Sequence, residues 1–214
     1  MSRAIAIMGE SGSGKTTAMR TLNPDETYYI DCDGKGLSWK GWRNQYNAEK
    51  KNYLRTDNQN DVLAVMRGIS DKRPNIKNIV IDTINSIMIA DERRRQAEKN
   101  YDKWADLAWA VYDITLAASR LRDDLNIIVL AHTQTEVDDT TGERFTRILT
   151  NGKKLNKIGL EKYFTTVLLS KKGAEGFVFE TTANKSTAKT PMGAFERDEI
   201  PNDMQAVLDA LAEF

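Results

Sequence analysis

The residues best suited to chemistry lie between Gly9 and Thr16, where the chain reads GESGSGKT. This segment matches the phosphate-binding pattern G-x-x-x-x-G-K-[ST] at every position. Its glycines permit the tight backbone path that turns consecutive N–H groups toward phosphates. The lysine can reach the β- and γ-phosphates, and the hydroxyl that follows it can ligate Mg²⁺. The segment therefore predicts binding of ATP with Mg²⁺. The predicted nucleotide-binding residues are Gly9, Glu10, Ser11, Gly12, Ser13, Gly14, Lys15, Thr16 and Thr17.

Two acidic strand ends offer partners for this loop. Asp82 closes the apolar run Ile79-Val80-Ile81, and a carboxylate in that place holds the Mg²⁺ water shell beside the P-loop hydroxyl. We therefore expect Thr16 and Asp82 to form the metal site, although an Asp there can also cap the next helix. Asp33, three residues past the end of the apolar strand at 27–30, can polarise a water that attacks the γ-phosphate. The alternative for Asp33 is a solvated turn before a glycine.

The strand after Asp82 ends in His132-Thr133-Gln134. A polar side chain at this strand end can hydrogen-bond the γ-phosphate and respond to its loss. We favour Gln134 for this role, because a neutral amide does not titrate, and place His132 second. A single histidine is also often purely structural.

Basic residues follow this candidate sensor directly. Residues 135–150 predict a hairpin with its turn at 139–142, and Arg144, Arg147, Lys153 and Lys154 lie in it or just after it. Such a basic loop could contact single-stranded DNA, or it could be an ordinary solvated hairpin. Lys185 and Lys189, in a polar loop later in the chain, could act on the γ-phosphate of a neighbouring subunit or could simply be solvated.

The elements that must position these residues alternate along the chain. Apolar strands and helices follow one another up to residue 132, and the pattern then changes to antiparallel pieces. The order predicts an α/β fold of the P-loop NTPase type: a three-layer α/β/α sandwich in one domain over 1–214, with a mostly parallel central sheet and an antiparallel C-terminal extension. The predicted strands are 4–8, 27–30, 52–55, 78–82, 126–132, 165–170 and 176–181. The predicted helices are 16–22, about 62–69, 84–122 with a break near Asn100, 153–162, and a last helix that opens at 201–203 and carries Met204, Val207, Leu208 and Leu211 on one face.

The overall amino-acid composition limits the classes of partner that the protein is expected to bind. The 214 residues include 31 basic and 31 acidic side chains, so nucleic-acid binding requires a local basic patch. One cysteine excludes an internal disulfide and fits a reducing cytoplasm. No stretch approaches the roughly 20 apolar residues that span a bilayer, and we expect no membrane partner.

The order of these motifs resembles the RecA-type ATPase core, and more narrowly the phage RecA-core single-strand annealing proteins, which are often described only as phage nucleotide-binding or AAA-family proteins. The resemblance covers nearly the whole chain. It rests on GESGSGKTT at 9–17, YYIDCDG at 28–34, IVIDTINS at 79–86, LAHTQTEVDDTTGERF at 130–145, TNGKKLNKI at 150–158, KTPMGAF at 189–195 and IPNDM at 200–204.

The resemblance implies a RecA-like ATPase that uses ATP and Mg²⁺, forms rings or filaments on single-stranded DNA, and promotes strand annealing in homologous recombination. It implies a single-strand-binding protein as helper and, for a phage protein, the cytoplasm of the bacterial host. It places Asp33 at the position of the RecA catalytic glutamate, Gln134 at or next to the glutamine that links the γ-phosphate to the DNA loop, and Lys185 or Lys189 across a subunit interface. Because aspartate is one carbon shorter than glutamate, hydrolysis is expected to be slow.

Three other functions fit parts of this pattern: a helicase or helicase-loader ATPase of replication, a non-catalytic nucleotide switch, and a small-molecule kinase. A helicase usually has an added domain. A kinase needs an acceptor pocket and a basic lid, whereas Asp33 and the glutamine after the strand fit attack by water better. The residues expected to take part in catalysis are Lys15, Asp33, Asp82, Gln134 and His132.

Overall fold

The computed structural model describes residues 1–99, 102–138, 140–150 and 157–214. Its strands are β1 (Arg3–Met8), β2 (Thr27–Asp31), β3 (Tyr53–Arg55), β4 (Asn78–Asp82), β5 (Asn126–Ala131), β6 (Thr133–Val137), β7 (Arg144–Ile148), β8 (Thr166–Lys172), β9 (Phe177–Glu180) and β10 (Glu199–Pro201). Its helices are α1 (Lys15–Ala18), α2 (Trp42–Gln45), α3 (Gln59–Lys72), α4 (Ile84–Arg94), α5 (Asp102–Ala118) and α6 (Met204–Ala210), with 3₁₀ turns at Met19–Thr21 and Leu160–Tyr163.

A central sheet joins eight of the described strands in the order β10-β9-β8-β1-β5-β4-β2-β3. The pairs from β8 through β1, β5, β4 and β2 to β3 are parallel, while β9 and β10 extend the β8 edge in antiparallel pairing. The predicted mostly parallel sheet with an antiparallel C-terminal extension is thus confirmed. Since β1, β2, β4 and β5 are parallel, their carboxyl ends meet along one edge, where ligands of such sheets bind.

The two faces of the sheet are covered by different layers, as the side-chain alternation of the strands requires. On β1, Ala4, Ala6 and Met8 belong to one apolar cluster, and Ile5 and Ile7 belong to the other. The first cluster includes residues of α3, α4 and α5, and the second includes residues of α1 and α6. These near-continuous apolar strands could only be stable with both faces covered.

Helix boundaries follow local signals. Asn58 caps α3 by accepting from the N–H of Asn60, and Asp203 caps α6 by accepting from the N–H of Ala206. The predicted long helix over 84–122 is divided into α4 and α5. No helix of the described ranges is long and apolar enough to cross a membrane.

Two predicted elements differ from the structure. The predicted helix at 153–162 falls partly on residues 151–156, outside the described ranges, and Leu160–Tyr163 forms a 3₁₀ turn. The strand Glu199–Pro201 differs from the sequence pattern, which predicts that Pro201-Asn202-Asp203 opens the last helix. Proline is tolerated there because β10 is an edge strand, where one N–H needs no ladder partner.

Candidate functional site

The glycine-rich loop connects β1 to α1 at the carboxyl edge of the sheet. Gly12 and Gly14 adopt positive φ angles of 78° and 97°, which are accessible to glycine with little strain. Gly9 faces a different constraint, since a Cβ there would lie 2.5 Å from the backbone oxygen of Ser170. The loop therefore depends on its glycines both for conformation and for close packing.

Lys15 is folded back over this loop. Its Nζ donates to the backbone oxygens of Gly9 and Glu10, at 2.7 Å in both cases. Burial lowers the pKa of Lys15 from 10.5 to about 8, against the opposing attraction of Asp82. A phosphate in the loop would supply the negative charge that this buried ammonium lacks.

Asp82 lies at the end of β4 and is almost fully buried. Its Oδ2 accepts from Thr16 Oγ1 at 2.7 Å and from the Tyr29 hydroxyl at 2.6 Å. Its Oδ1 is buried and has no hydrogen-bond partner among the described residues. Burial raises the pKa of this carboxyl, and the hydrogen bonds from Tyr29 and Thr16 oppose that shift.

This arrangement fits Mg²⁺. Carboxylate and hydroxyl oxygens are the ligands that this hard cation prefers, and it usually keeps several waters. Thr16 and Asp82 face each other directly, and the second carboxylate oxygen of Asp82 lacks a partner. Thr16 would hold the metal and Asp82 would hold the metal or its water shell, as the sequence predicts.

The two acids after β2 differ in their surroundings. Asp31 accepts from the N–H groups of Gly34 and Gly36 and from the Tyr53 hydroxyl, so its carboxylate organises the turn. Asp33 instead forms a salt bridge with Lys35. It also accepts from the hydroxyls of two residues after β4, Thr83 at 3.0 Å and Ser86.

These partners keep Asp33 ionised. Burial alone would raise its pKa, but the hydrogen bonds from Lys35 and Ser86 lower it overall. A carboxylate held in this state can orient water as an acceptor. Lys35, its partner, also lines a cavity over the glycine-rich loop.

A cavity of about 380 Å³ opens over the glycine-rich loop. Besides loop residues, its wall includes Asp82, His132 and the aromatic ring of Phe177. Burial and the positive charge of Lys15 lower the pKa of His132, which favours neutral imidazole. The described residues that line this cavity do not include Gln134, whose Nε2 donates to Glu136 at 2.5 Å. Geometry therefore favours His132 over Gln134 as the side chain nearest the phosphates, the reverse of the order favoured by sequence.

The hairpin of β6 and β7 begins directly after His132 and forms a separate two-stranded sheet. Arg144 is exposed near its tip. Arg147, in contrast, is largely buried and bonds to Glu136 at 3.2 Å and Glu161 at 3.3 Å. This pairing opposes the predicted role of Arg147 as a direct DNA contact. Lys153 and Lys154, together with the predicted turn residue Asp139, lie outside the described residues.

The late polar loop is attached to this hairpin. The N–H of Thr146 donates to Lys185 O at 2.8 Å, and the N–H of Thr187 donates to Thr146 O at 2.9 Å. Lys189 pairs through its backbone with Val167 of β8. Both lysine side chains are exposed. Neither lysine is among the described residues that line the cavity over the glycine-rich loop.

Four residues near the site were missed from sequence: Tyr29, Lys35, Asn85 and Phe177. Tyr29 occupies an apolar strand position, and its hydroxyl donates a hydrogen bond to Asp82. Asn85 follows Asp82 by three residues and bonds both ends of the hairpin. Proximity to the acidic strand ends could have indicated Lys35 and Asn85. No local pattern distinguishes Phe177, because its position depends on how β9 returns beside the loop.

Comparison with models of known protein families agrees with a nucleotide site at the glycine-rich loop. Residues 1–191 match the family model described as AAA domain. A search of curated proteins found no match. Since the matched residues cover most of the 214 in the chain, the protein belongs to the AAA domain family of nucleotide-binding ATPases.

Proposed function

We propose that the protein is an Mg²⁺-dependent ATPase that binds single-stranded DNA and promotes strand annealing in homologous recombination of a phage. The observation that carries this proposal is the position of the β6–β7 hairpin, on which Arg144 is an exposed cation. The hairpin starts directly after His132, a residue that lines the phosphate cavity beside Lys15 and Asp82. A change at the phosphates can therefore reach the hairpin through a single residue.

The chemistry follows from the residues at the cavity. Lys15 and the loop N–H groups bind and orient the phosphates, and bound Mg²⁺ would neutralise developing charge on the phosphate oxygens. Asp33, held by Lys35, Thr83 and Ser86, accepts a hydrogen bond from the attacking water. Neutral His132 can donate to a phosphate oxygen, or can donate to or accept from a nearby water.

Buried hydrogen bonds join this site to the hairpin. The side chain of Asn85, in the first turn of α4, accepts from the N–H of His132 at 2.7 Å and donates to Leu149 O at 2.7 Å. The N–H of Leu149 in turn donates to His132 O at 2.7 Å. Both ends of the hairpin are thus tied to the helix that follows Asp82, which supports coupling between nucleotide state and DNA binding.

Measurements of DNA binding test this proposal. Variants of two arginines distinguish direct contact with DNA from structural support of the hairpin. Arg144→Ala should weaken binding of a fluorescent single strand and make its salt dependence shallower, by about 0.7 in log–log slope per lost phosphate contact. The thermal midpoint should stay unchanged because Arg144 is exposed. Fluorescence anisotropy over a salt series measures both quantities. Wild-type affinity and slope in Arg144→Ala would place the DNA site elsewhere.

Arg147→Ala serves as the matched comparison. It leaves Glu161 buried without its cation, a loss of about 3 kcal/mol where a buried pair is broken. We expect a lower thermal midpoint in this variant, unlike in Arg144→Ala. A strong loss of DNA affinity in Arg147→Ala with unchanged thermal stability would instead support direct contact.

A working oligomer is the second part of the proposal. In phosphoryl-transfer enzymes, a cation from a neighbouring subunit often stabilises charge on the γ-phosphate. Lys185 and Lys189 are exposed, and neither is among the described residues that line the phosphate cavity, so both are available to a neighbouring subunit. Mixing Lys15→Ala subunits with Lys185→Ala/Lys189→Ala subunits should restore part of the ATPase activity, because each supplies what the other lacks at their interface. Full activity of a monomer by sedimentation with ATP and DNA would contradict this.

The lowered pKa of Lys15 gives a pH prediction. Phosphates favour the protonated lysine, whereas the free protein loses that proton as pH rises through about 8. Binding above this pH must take up a proton, so ATP affinity should fall by at most ~10-fold per pH unit. Calorimetry at pH 9 in two buffers of different ionisation enthalpy measures the uptake. Constant affinity from pH 7 to 9.5 without proton uptake would show that Lys15 remains charged.

A further inference from the structure

We propose that Phe177 forms the platform on which the nucleobase stacks, completing a nucleoside subsite beside the phosphate loop. This inference rests on the proposed nucleotide binding and extends it to the part of the ligand that the loop motif leaves unassigned. Among the described residues that line the phosphate cavity, Phe177 is the one hydrophobic aromatic side chain, and His132 is already assigned to the phosphate end.

The position of the ring follows from the alternation of β9. Phe179 is fully buried in the cluster that includes Ala18 and Met19. Phe177 lies two residues earlier, on the same face of β9, and reaches past that cluster to the glycine-rich loop. It keeps 38% of its surface exposed. A large apolar side chain with this exposure at the edge of a polar cavity leaves a face accessible to a flat apolar ligand.

The contact with the loop is close. A Cβ on Gly14 would lie 2.6 Å from Cγ of Phe177, so the missing side chain of this glycine is what lets the ring approach the loop. Gly14 precedes the lysine of the motif, and the backbone N–H groups of this loop cradle the α- and β-phosphates. The ring is therefore next to the stretch of loop from which the nucleoside must extend.

The strand order places the nucleoside on this side. Asp82 comes from β4 and Asp33 follows β2, and both strands lie on one side of β1. Of these two acids, Asp82 lines the cavity, and together with Thr16 it marks the end that would take Mg²⁺ and the γ-phosphate. Phe177 comes from β9, on the other side of β1. A triphosphate with its γ-phosphate toward the acids directs its base toward β9.

A phenyl ring recognises the base by its π face alone, without hydrogen bonds. Stacking of this kind tolerates different bases, since every base presents a π face. We therefore expect Phe177 to contribute similarly to the affinity for ATP and for GTP.

The experiment compares ATP with inorganic tripolyphosphate, which has the phosphates but no base. Phe177→Leu keeps apolar volume against Gly14 and removes the π system. Calorimetry with Mg²⁺ should show ATP affinity lowered by about 10-fold or more, the range found for loss of one base–aromatic stack. Tripolyphosphate affinity should be unchanged, and Phe177→Trp should restore ATP affinity, with its added fluorescence responding to ATP and not to tripolyphosphate.

Two results would overturn the inference while leaving the proposed function intact. One is wild-type ATP affinity in Phe177→Leu together with a tryptophan at 177 that does not respond to ATP. The other is a parallel loss of ATP and tripolyphosphate affinity, which would show that Phe177 only supports the loop. A wild-type protein that binds neither probe would instead reject the nucleotide site itself, and this inference with it.

Discussion

Replacing Lys15 with alanine is expected to lower ATP affinity by about 100-fold or more, since charge-assisted hydrogen bonds to phosphate contribute about 1.5–3 kcal/mol each. Hydrolysis should fall with it. The fold should persist, because the buried ammonium opposes folding at neutral pH. Its folded pKa of about 8 lies below the ordinary 10.5, so the native state binds this proton less tightly than the unfolded chain.

Calorimetry with ATP and a thermal melt by circular dichroism measure both effects. Lys72→Ala is the matched control, since it removes one exposed lysine at the end of α3, and it should behave as wild type. ATP affinity in Lys15→Ala equal to that of the Lys72→Ala control would reject the assignment of the glycine-rich loop as the phosphate site.

Asp82→Asn should separate binding from hydrolysis. The loop N–H groups and Lys15 still hold the phosphates, so ATP affinity should change little. The Mg²⁺-dependent rate should fall by about 10- to 100-fold, the usual effect of losing an oriented carboxylate at a metal site. Asparagine can still accept from Thr16 and Tyr29. Because burial raises the pKa of Asp82, its charge weakens the native state at neutral pH, and the variant should not melt earlier.

Titrating Mg²⁺ at saturating ATP gives the measurement, with Asp33→Asn in parallel. Asp33→Asn should lower the maximal rate without shifting the Mg²⁺ concentration needed for half of it. If the metal dependence shifts in Asp33→Asn and not in Asp82→Asn, the two acids have exchanged roles. Tyr29→Phe, which removes one hydrogen bond to Asp82, should show a smaller shift of the same kind as Asp82→Asn.

Much of the fold could be predicted because its signals are local. Apolar runs predicted the parallel strands, and the apolar spacing of α3 and α6 predicted helices there. That the loop and Asp82 lie together was predictable for the same reason: motif and strand end are each contiguous in sequence, and parallel pairing brings strand ends to one edge. The antiparallel extension followed from the change of pattern after residue 132.

What sequence could not predict depends on contacts between distant segments. His132 and Gln134 share a strand end, and only the direction of β6 away from the cavity separates them. Arg147 carries the same charge as Arg144, but its side chain is largely buried and paired with Glu161, 14 residues later. Phe177 reaches the loop because β9 returns beside β8. Each of these positions depends on contacts between segments that are distant in sequence, and local sequence patterns do not indicate such contacts.

The ATPase rate measured with and without single-stranded DNA tests the central proposal most directly. We expect a slow basal rate, strong stimulation by single strands, and loss of that stimulation in Arg144→Ala with the basal rate retained. A rate that single strands do not change would contradict it and favour a nucleotide switch or a small-molecule kinase, and translocation on forked duplexes would favour a helicase.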